Sequence, residues 1–91
     1  MIVLTTCASA EEAQGLAIRL VDAREAACVN RISNVTSTYQ WQGEVHNDEE
    51  ILLLIKTTED RLADVERTVR ELSSYELPEL IAVRVDTGSP T

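Results

Sequence analysis

Residues 51–55 read Ile-Leu-Leu-Leu-Ile, an unbroken apolar run that ends at Lys56 and Thr57. In extended backbone, successive side chains point to opposite faces, so Ile51, Leu53 and Ile55 project one way and Leu52 and Leu54 the other. A strand that is apolar on both faces has to be covered on both. It also has a partner upstream. Residues 35–41, Val-Thr-Ser-Thr-Tyr-Gln-Trp, are β-branched and aromatic with period-two alternation, which sets Val35, Ser37, Tyr39 and Trp41 on one face. Gly43 and the Asn47-Asp48 pair carry turn chemistry. Residues 35–57 are therefore expected to form a long hairpin with arms at 35–43 and 48–57. His46 falls in its turn, beside Asp48, Glu49 and Glu50.

The remainder of the chain supplies the other strand segments and two helices. Ile2, Val3 and Leu4 start a short buried strand that reaches about Thr6. Ser9-Ala10-Glu11-Glu12 has the capping-box form, Ser9 accepting from the Glu12 amide while Glu12 reaches back. The helix it opens carries Ala13, Leu16, Ala17, Leu20 and Val21 as one apolar stripe, with Glu11, Glu12, Arg19, Asp22 and Glu25 off it. Residues 27–32 read as a strand, and Ser33-Asn34 as a bend before the hairpin. Thr58-Glu59-Asp60-Arg61 opens a second helix with acids in its first turn, where the helix dipole favours them. Leu62, Val65, Val69 and Leu72 mark its apolar face, and Ser73-Ser74-Tyr75 ends it. Leu77-Pro78 forces extended backbone, and residues 80–85 form the last strand.

The order β-α-β-β-α-β, with right-handed crossovers, predicts one α+β domain over residues 1–91: a ferredoxin-like sandwich with both helices on one face of an antiparallel sheet. The other face is bare in a single chain. Strands one, three and four nevertheless carry apolar residues on both faces, and 91 residues leave no third layer. Further copies of the chain are the simplest cover, with each long hairpin passed to its neighbour in a closed ring of three.

Charge narrows the partners. Sixteen acids against eight bases give a net charge of −8, which argues against nucleic acid, since phosphate binding needs clustered Lys and Arg. Residues 1–4 lack a basic start with a long apolar segment, and no window approaches the roughly 20 apolar residues that span a bilayer. Neither a secretory leader nor a membrane segment is expected. Two cysteines in such a chain fit a reducing cytoplasm and no disulfide framework.

Four segments resemble the CutA divalent-ion tolerance proteins: Ala26-Ala27-Cys28-Val29-Asn30, Ser37-Thr38-Tyr39-Gln40-Trp41-Gln42-Gly43, Leu54-Ile55-Lys56-Thr57-Thr58 and Tyr75-Glu76-Leu77-Pro78-Glu79-Leu80-Ile81. They occur in the family's order and spacing, and the similarity runs from Ile2 to about Gly88. The resemblance implies a ferredoxin-like subunit in a tight cytoplasmic homotrimer of bacteria, with a role in tolerance to copper and other divalent metals. It also implies an architecture similar to PII-like signalling proteins, which bind small ligands between subunits. Two departures stand out. The family commonly has His-Pro before the Tyr-Glu pair, where this chain has Ser73-Ser74. Its copper-binding members are associated with a first-strand cysteine, at the place of Thr5; Cys7 lies two residues on, on the same pleat face. The family's Tyr-Leu-x-Trp segment beyond the last glycine is expected to be missing, the sequence closing at Thr91.

Candidate chemistry follows in two groups. For metal, Cys7, His46 and Asp48 are the weak candidates, and the spacing lacks the three or four converging ligands of a selective site. Weak, non-stoichiometric binding of copper or another divalent cation is the expectation, with no cofactor required. Cys28 reads more as a small buried hydrophobe than as a ligand. For a small ligand, the resemblance gathers Cys28, Tyr39, Trp41, Lys56, Tyr75 and Glu76 near an inter-subunit cleft, where a lysine, an acid and two phenols suit an anion. Tyr and Trp serve interfaces equally well. One turn histidine forms no convincing catalytic triad, and no base beside a cysteine is evident, so no enzyme is expected.

Overall fold

The computed structural model describes residues 1–89. The strands are β1 (Ile2–Cys7), β2 (Cys28–Trp41), β3 (Glu44–Lys56) and β4 (Ile81–Val83), and the helices α1 (Ala10–Asp22) and α2 (Leu62–Leu72). They follow in the order β1-α1-β2-β3-α2-β4, with a single 3-10 turn at Glu59–Arg61 leading into α2. The sheet order is β2-β3-β1-β4, every neighbouring pair antiparallel. This is the expected ferredoxin-like α+β sandwich.

Strand alternation sorts the core. Val3, Thr5 and Cys7 of β1 and Leu53 and Ile55 of β3 point under the helices and are at most 2% exposed. Val3, Cys7, Leu53 and Ile55 meet Ala13, Leu16 and Leu20 of α1 and Val65 and Val69 of α2 in one hydrophobic cluster. The capping box forms as expected: the Glu12 amide donates to Ser9 Oγ at 3.1 Å, and Glu12 Oε2 accepts from the Ala8 amide at 2.9 Å. Val21, placed on the stripe by its spacing, lies instead at the exposed margin of α1, because the helix ends one residue later, beyond the sheet it covers.

The second face of the sheet is open. Ile2, Leu4 and Thr6 of β1 pair with Lys56, Leu54 and Leu52 of β3. Asn30 and Ile32 of β2, and Ile81 and Val83 of β4, extend the same side. Among the described residues no helix covers this aliphatic surface. Ile32, Ile81 and Val83 remain 41–46% exposed.

The hairpin differs from expectation in its turn. β2 is one continuous strand, and Ser33-Asn34 is an irregularity in its pairing with β3, Asn34 taking a left-handed φ of 63°. The strands reverse over Gln42 and Gly43, at φ 50° and 80°, between the paired Trp41 and Glu44. A two-residue turn with both central φ values positive matches the right-handed strand twist, so the ladder closes there. Asn47 and Asp48 consequently stand inside β3, opposite Thr38 and Ser37, and His46 belongs to a strand. β4 is shorter than the six residues expected. The molecule is long, 45 × 26 × 22 Å, because the hairpin runs past the end of β1.

Candidate functional site

Moving Asn47 and Asp48 into the strand places His46, Asp48 and Glu50 on the open face, together with Ser37 and Tyr39 of β2. The positions form a polar extension of the bare apolar sheet. Tyr39 Oη donates to Asp48 Oδ2 at 2.5 Å, and the Tyr39 ring stacks on His46 with centroids 5.6 Å apart. The hydrogen bond to Asp48, with burial and the Asp48 and Glu50 charges adding to it, raises the Tyr39 pKa. His46 Nε2 lies 4.0 Å from Glu44 on the same strand.

Glu50 is the centre of this region. Tyr75 Oη, from the segment after α2, donates to Glu50 Oε2 at 2.6 Å. Burial alone raises the Glu50 carboxyl, but hydrogen bonds from Ser37, Tyr75 and Thr6 outweigh it and hold the group below its ordinary value. Burial, then the hydrogen bond to Glu50 and the surrounding acid charges, drive the Tyr75 phenol far above its usual range. The segment carrying Tyr75 is fastened twice more. The Glu12 carboxylate accepts from the Ser74 amide, and buried Thr5 donates to the Glu79 carbonyl at 2.6 Å. Residues 73–80 are therefore fixed against the ends of β1 and α1.

The six cleft residues named from the sequence do not meet within one chain. Cys28 and Lys56 are cross-strand partners at one end of the sheet, both exposed on the open face. Tyr39 and Trp41 project from the same face at the hairpin, ten strand residues away, about 33 Å at the usual rise. Tyr75 joins the hairpin group through Glu50, and Glu76 is exposed beside it. Cys28 is not the buried hydrophobe expected, because it begins an edge strand on the side that no helix covers.

The weak metal candidates are also divided. His46 and Asp48 share the open face, whereas Cys7 points into the helix-side core at 2% exposure. Burial, with the Glu12 and Glu50 charges, raises the Cys7 thiol to about 11, so it offers little of the thiolate that binds metals. Among the described residues, no three His, Cys, Asp or Glu side chains converge as a metal-holding group. Glu50, Ser37 and Thr6 were missed as a cluster. Continuing the period-two pattern through Asn47-Asp48 would have aligned His46, Asp48 and Glu50, but Thr6 and Tyr75 reach them only through the fold.

Sequence comparison decides the family. The family model described as CutA1 divalent ion tolerance protein matches residues 1–91. This chain belongs to that family. It is 43% identical to the divalent-cation tolerance protein CutA of Thermus thermophilus, over 97% of this chain and 85% of the relative. The solved structure of that CutA superposes with a TM-score of 0.94 over the same shares. Protein CutA of Mus musculus is 39% identical over 93% of this chain, which spans only about half of the mouse CutA, 48%. A PII-like protein CutA from Nostoc sp. PCC 7120 is 35% identical with a TM-score of 0.85, over 93% of this chain and 80% of that one. No helix among the described residues is long and apolar enough to cross a membrane.

Proposed function

We propose that this CutA chain acts in tolerance of divalent metal ions, copper among them, as a cytoplasmic homotrimer without catalytic activity. The observation that carries the assembly is the open sheet face. Ile2, Leu4, Ile32, Leu52, Leu54, Ile81 and Val83 form an aliphatic surface continuous with an overreaching hairpin. Each aliphatic side chain sheltered there adds roughly 1.5–3 kcal/mol, enough to dominate the stability of so small a domain. Two unpaired thiols suit a reducing compartment. Metal contact is weak on this reading, because His46 and Asp48 bring two ligands where a selective site needs three or four.

The Nostoc neighbour supports a second reading, a PII-like sensor that takes a small anion between subunits and signals through protein contacts. Because Lys56 with Cys28 and Tyr39 with Trp41 lie at opposite ends of one sheet, such a cleft needs one group from each of two chains.

Four measurements test these readings. Sedimentation equilibrium at micromolar concentration should give three chain masses, and a folded species of single-chain mass defeats the trimer. Calorimetric titration with copper(I) and copper(II) should show weak binding; a submicromolar site with one ion per chain refutes it. Growth on graded copper, in a host lacking its own CutA, should improve when this chain is supplied. Native mass spectrometry of protein taken straight from cells separates the readings, by a retained metal or a retained organic anion.

A further inference from the structure

At the end of the molecule away from the hairpin turn, a cavity of about 670 Å³ opens between the end of α1, the end of β3 and the 3-10 turn. That is within the range of small-molecule sites. Three of the chain's eight basic residues line it: Arg24, Lys56 and Arg61. Its floor is apolar, with Val21, Ala26 and Val85 among the contributors. Among the described residues Glu25 is the one acidic side chain on the wall. It is 9% exposed, and its carboxylate accepts from Thr68 Oγ1 at 2.6 Å, turned into the protein. In a chain of net charge −8, three basic side chains are thus gathered over an apolar base, Arg61 among them also facing the carboxylates of Asp64 and Asp60.

Arg24 gives the second, independent observation. The Glu25 amide donates to the Leu20 carbonyl at 2.9 Å and the Arg24 amide to the Val21 carbonyl at 3.1 Å, the bond pair of a Schellman ending. The residue between Ala23 and Glu25 must then be left-handed, and glycine or asparagine ordinarily takes that place. Here it is Arg24, at φ 59°. A long cationic side chain occupies a backbone position that glycine fills without strain. Among the described residues neither Arg24 nor Lys56 has an ion-pair partner, and Arg61 has only Asp64, at 3.4 Å.

We propose that this cavity binds a small amphipathic anion, its carboxylate or phosphate held by the Arg24 and Arg61 guanidiniums with Lys56 beside them, and its apolar body resting on Val21, Ala26 and Val85. Planar guanidiniums match the oxygens of either head group in bidentate geometry. The site is built from one chain. It does not rest on the metal reading, and it shares only Lys56 with the residues of the inter-subunit cleft.

The test is a titration of phenyl phosphate and of phenylacetate into the full chain, followed by backbone amide NMR and calorimetry, for wild type, Arg24→Gly and Arg61→Gln. Arg24→Gly suits the left-handed backbone, so its thermal midpoint should not fall. Its affinity for the preferred probe should drop about tenfold, the worth of one lost charge-assisted contact. Wild-type shifts should centre on Glu25, Ala27, Thr57 and Thr58, and whichever probe binds tighter names the head group. Three results overturn the proposal: unchanged affinity in Arg24→Gly, shifts centred on Leu54 and Ile81 of the open face, or no response to either probe at millimolar concentration.

Discussion

Tyr75 donates its hydroxyl hydrogen to Glu50 Oε2 at 2.6 Å, joining the segment after α2 to the middle of β3 across 25 residues of sequence. The bond is charge-assisted and only partly sheltered. Tyr75→Phe should cost about 1 kcal/mol by chemical denaturation, below the full value of such bonds because solvent reaches the pair.

The same pair sets a pH signature. Glu50 is depressed in the folded chain, so its contribution is present above its ordinary value of 4.5 and is lost as pH falls through the folded value. Tyr75 is raised, so its contribution is present below its ordinary value of 10.0 and is lost as pH rises beyond it. Denaturation midpoints measured across pH should decline at both ends. Tyr75→Phe should shrink the alkaline loss, leaving the part due to Tyr39 and Cys7, and flatten the acid one; an unchanged profile would break the assignment.

Leu53 and Leu54 are neighbours in sequence and opposites in the fold. Leu53 is wholly buried under the helices, and Leu54 stands half-buried on the open face. Leu53→Asp should cost about 4 kcal/mol or more and unfold the chain at every protein concentration. Leu54→Asp acts on assembly, so its loss of stability should shrink as concentration rises. Melting curves over a hundredfold dilution distinguish the two.

Thiol reactivity should be biphasic. Cys28, exposed within its own chain, should react with a disulfide reagent ahead of buried Cys7, whose thiol, raised to about 11, reacts only on unfolding. Denatured, unreduced protein should yield two thiols. The cysteines sit opposite Ile51 and Lys56 on β3, five residues or about 16 Å apart, beyond the roughly 7 Å that a disulfide allows.

The hairpin turn carries removable strain. Gln42 adopts φ 50° with Gly43 following at 80°. Asparagine tolerates this left-handed geometry better than glutamine, so Gln42→Asn should raise stability by about 0.5 kcal/mol. A fall in the denaturation midpoint would exclude the two-residue turn.

Sequence alone determined the elements that depend on near neighbours. The Ser9–Glu12 box fixed the start of α1, because the capping donor and acceptor lie three residues apart. The apolar run at 51–55 demanded cover on both faces, because strand geometry allows nothing else. Tertiary structure decided what covers which face. Leu53 and Leu54 look alike in sequence, and only the packing of α1 and α2 gives one of them the core. Glu25 reads as a surface acid until the Schellman turn swings it against Thr68, 43 residues away. Asn47 and Asp48 carry turn chemistry, yet the longer ladder wins, because strand pairing continues to Gln42 and Gly43. The Glu50 cluster draws on β1, β2, β3 and the segment before β4, and Arg24, Lys56 and Arg61 meet at one cavity only when α1, β3 and the 3-10 turn pack at the same end of the sheet. Local pattern specifies each piece through short-range bonding and periodicity; the sites come from long-range contacts that no periodicity encodes.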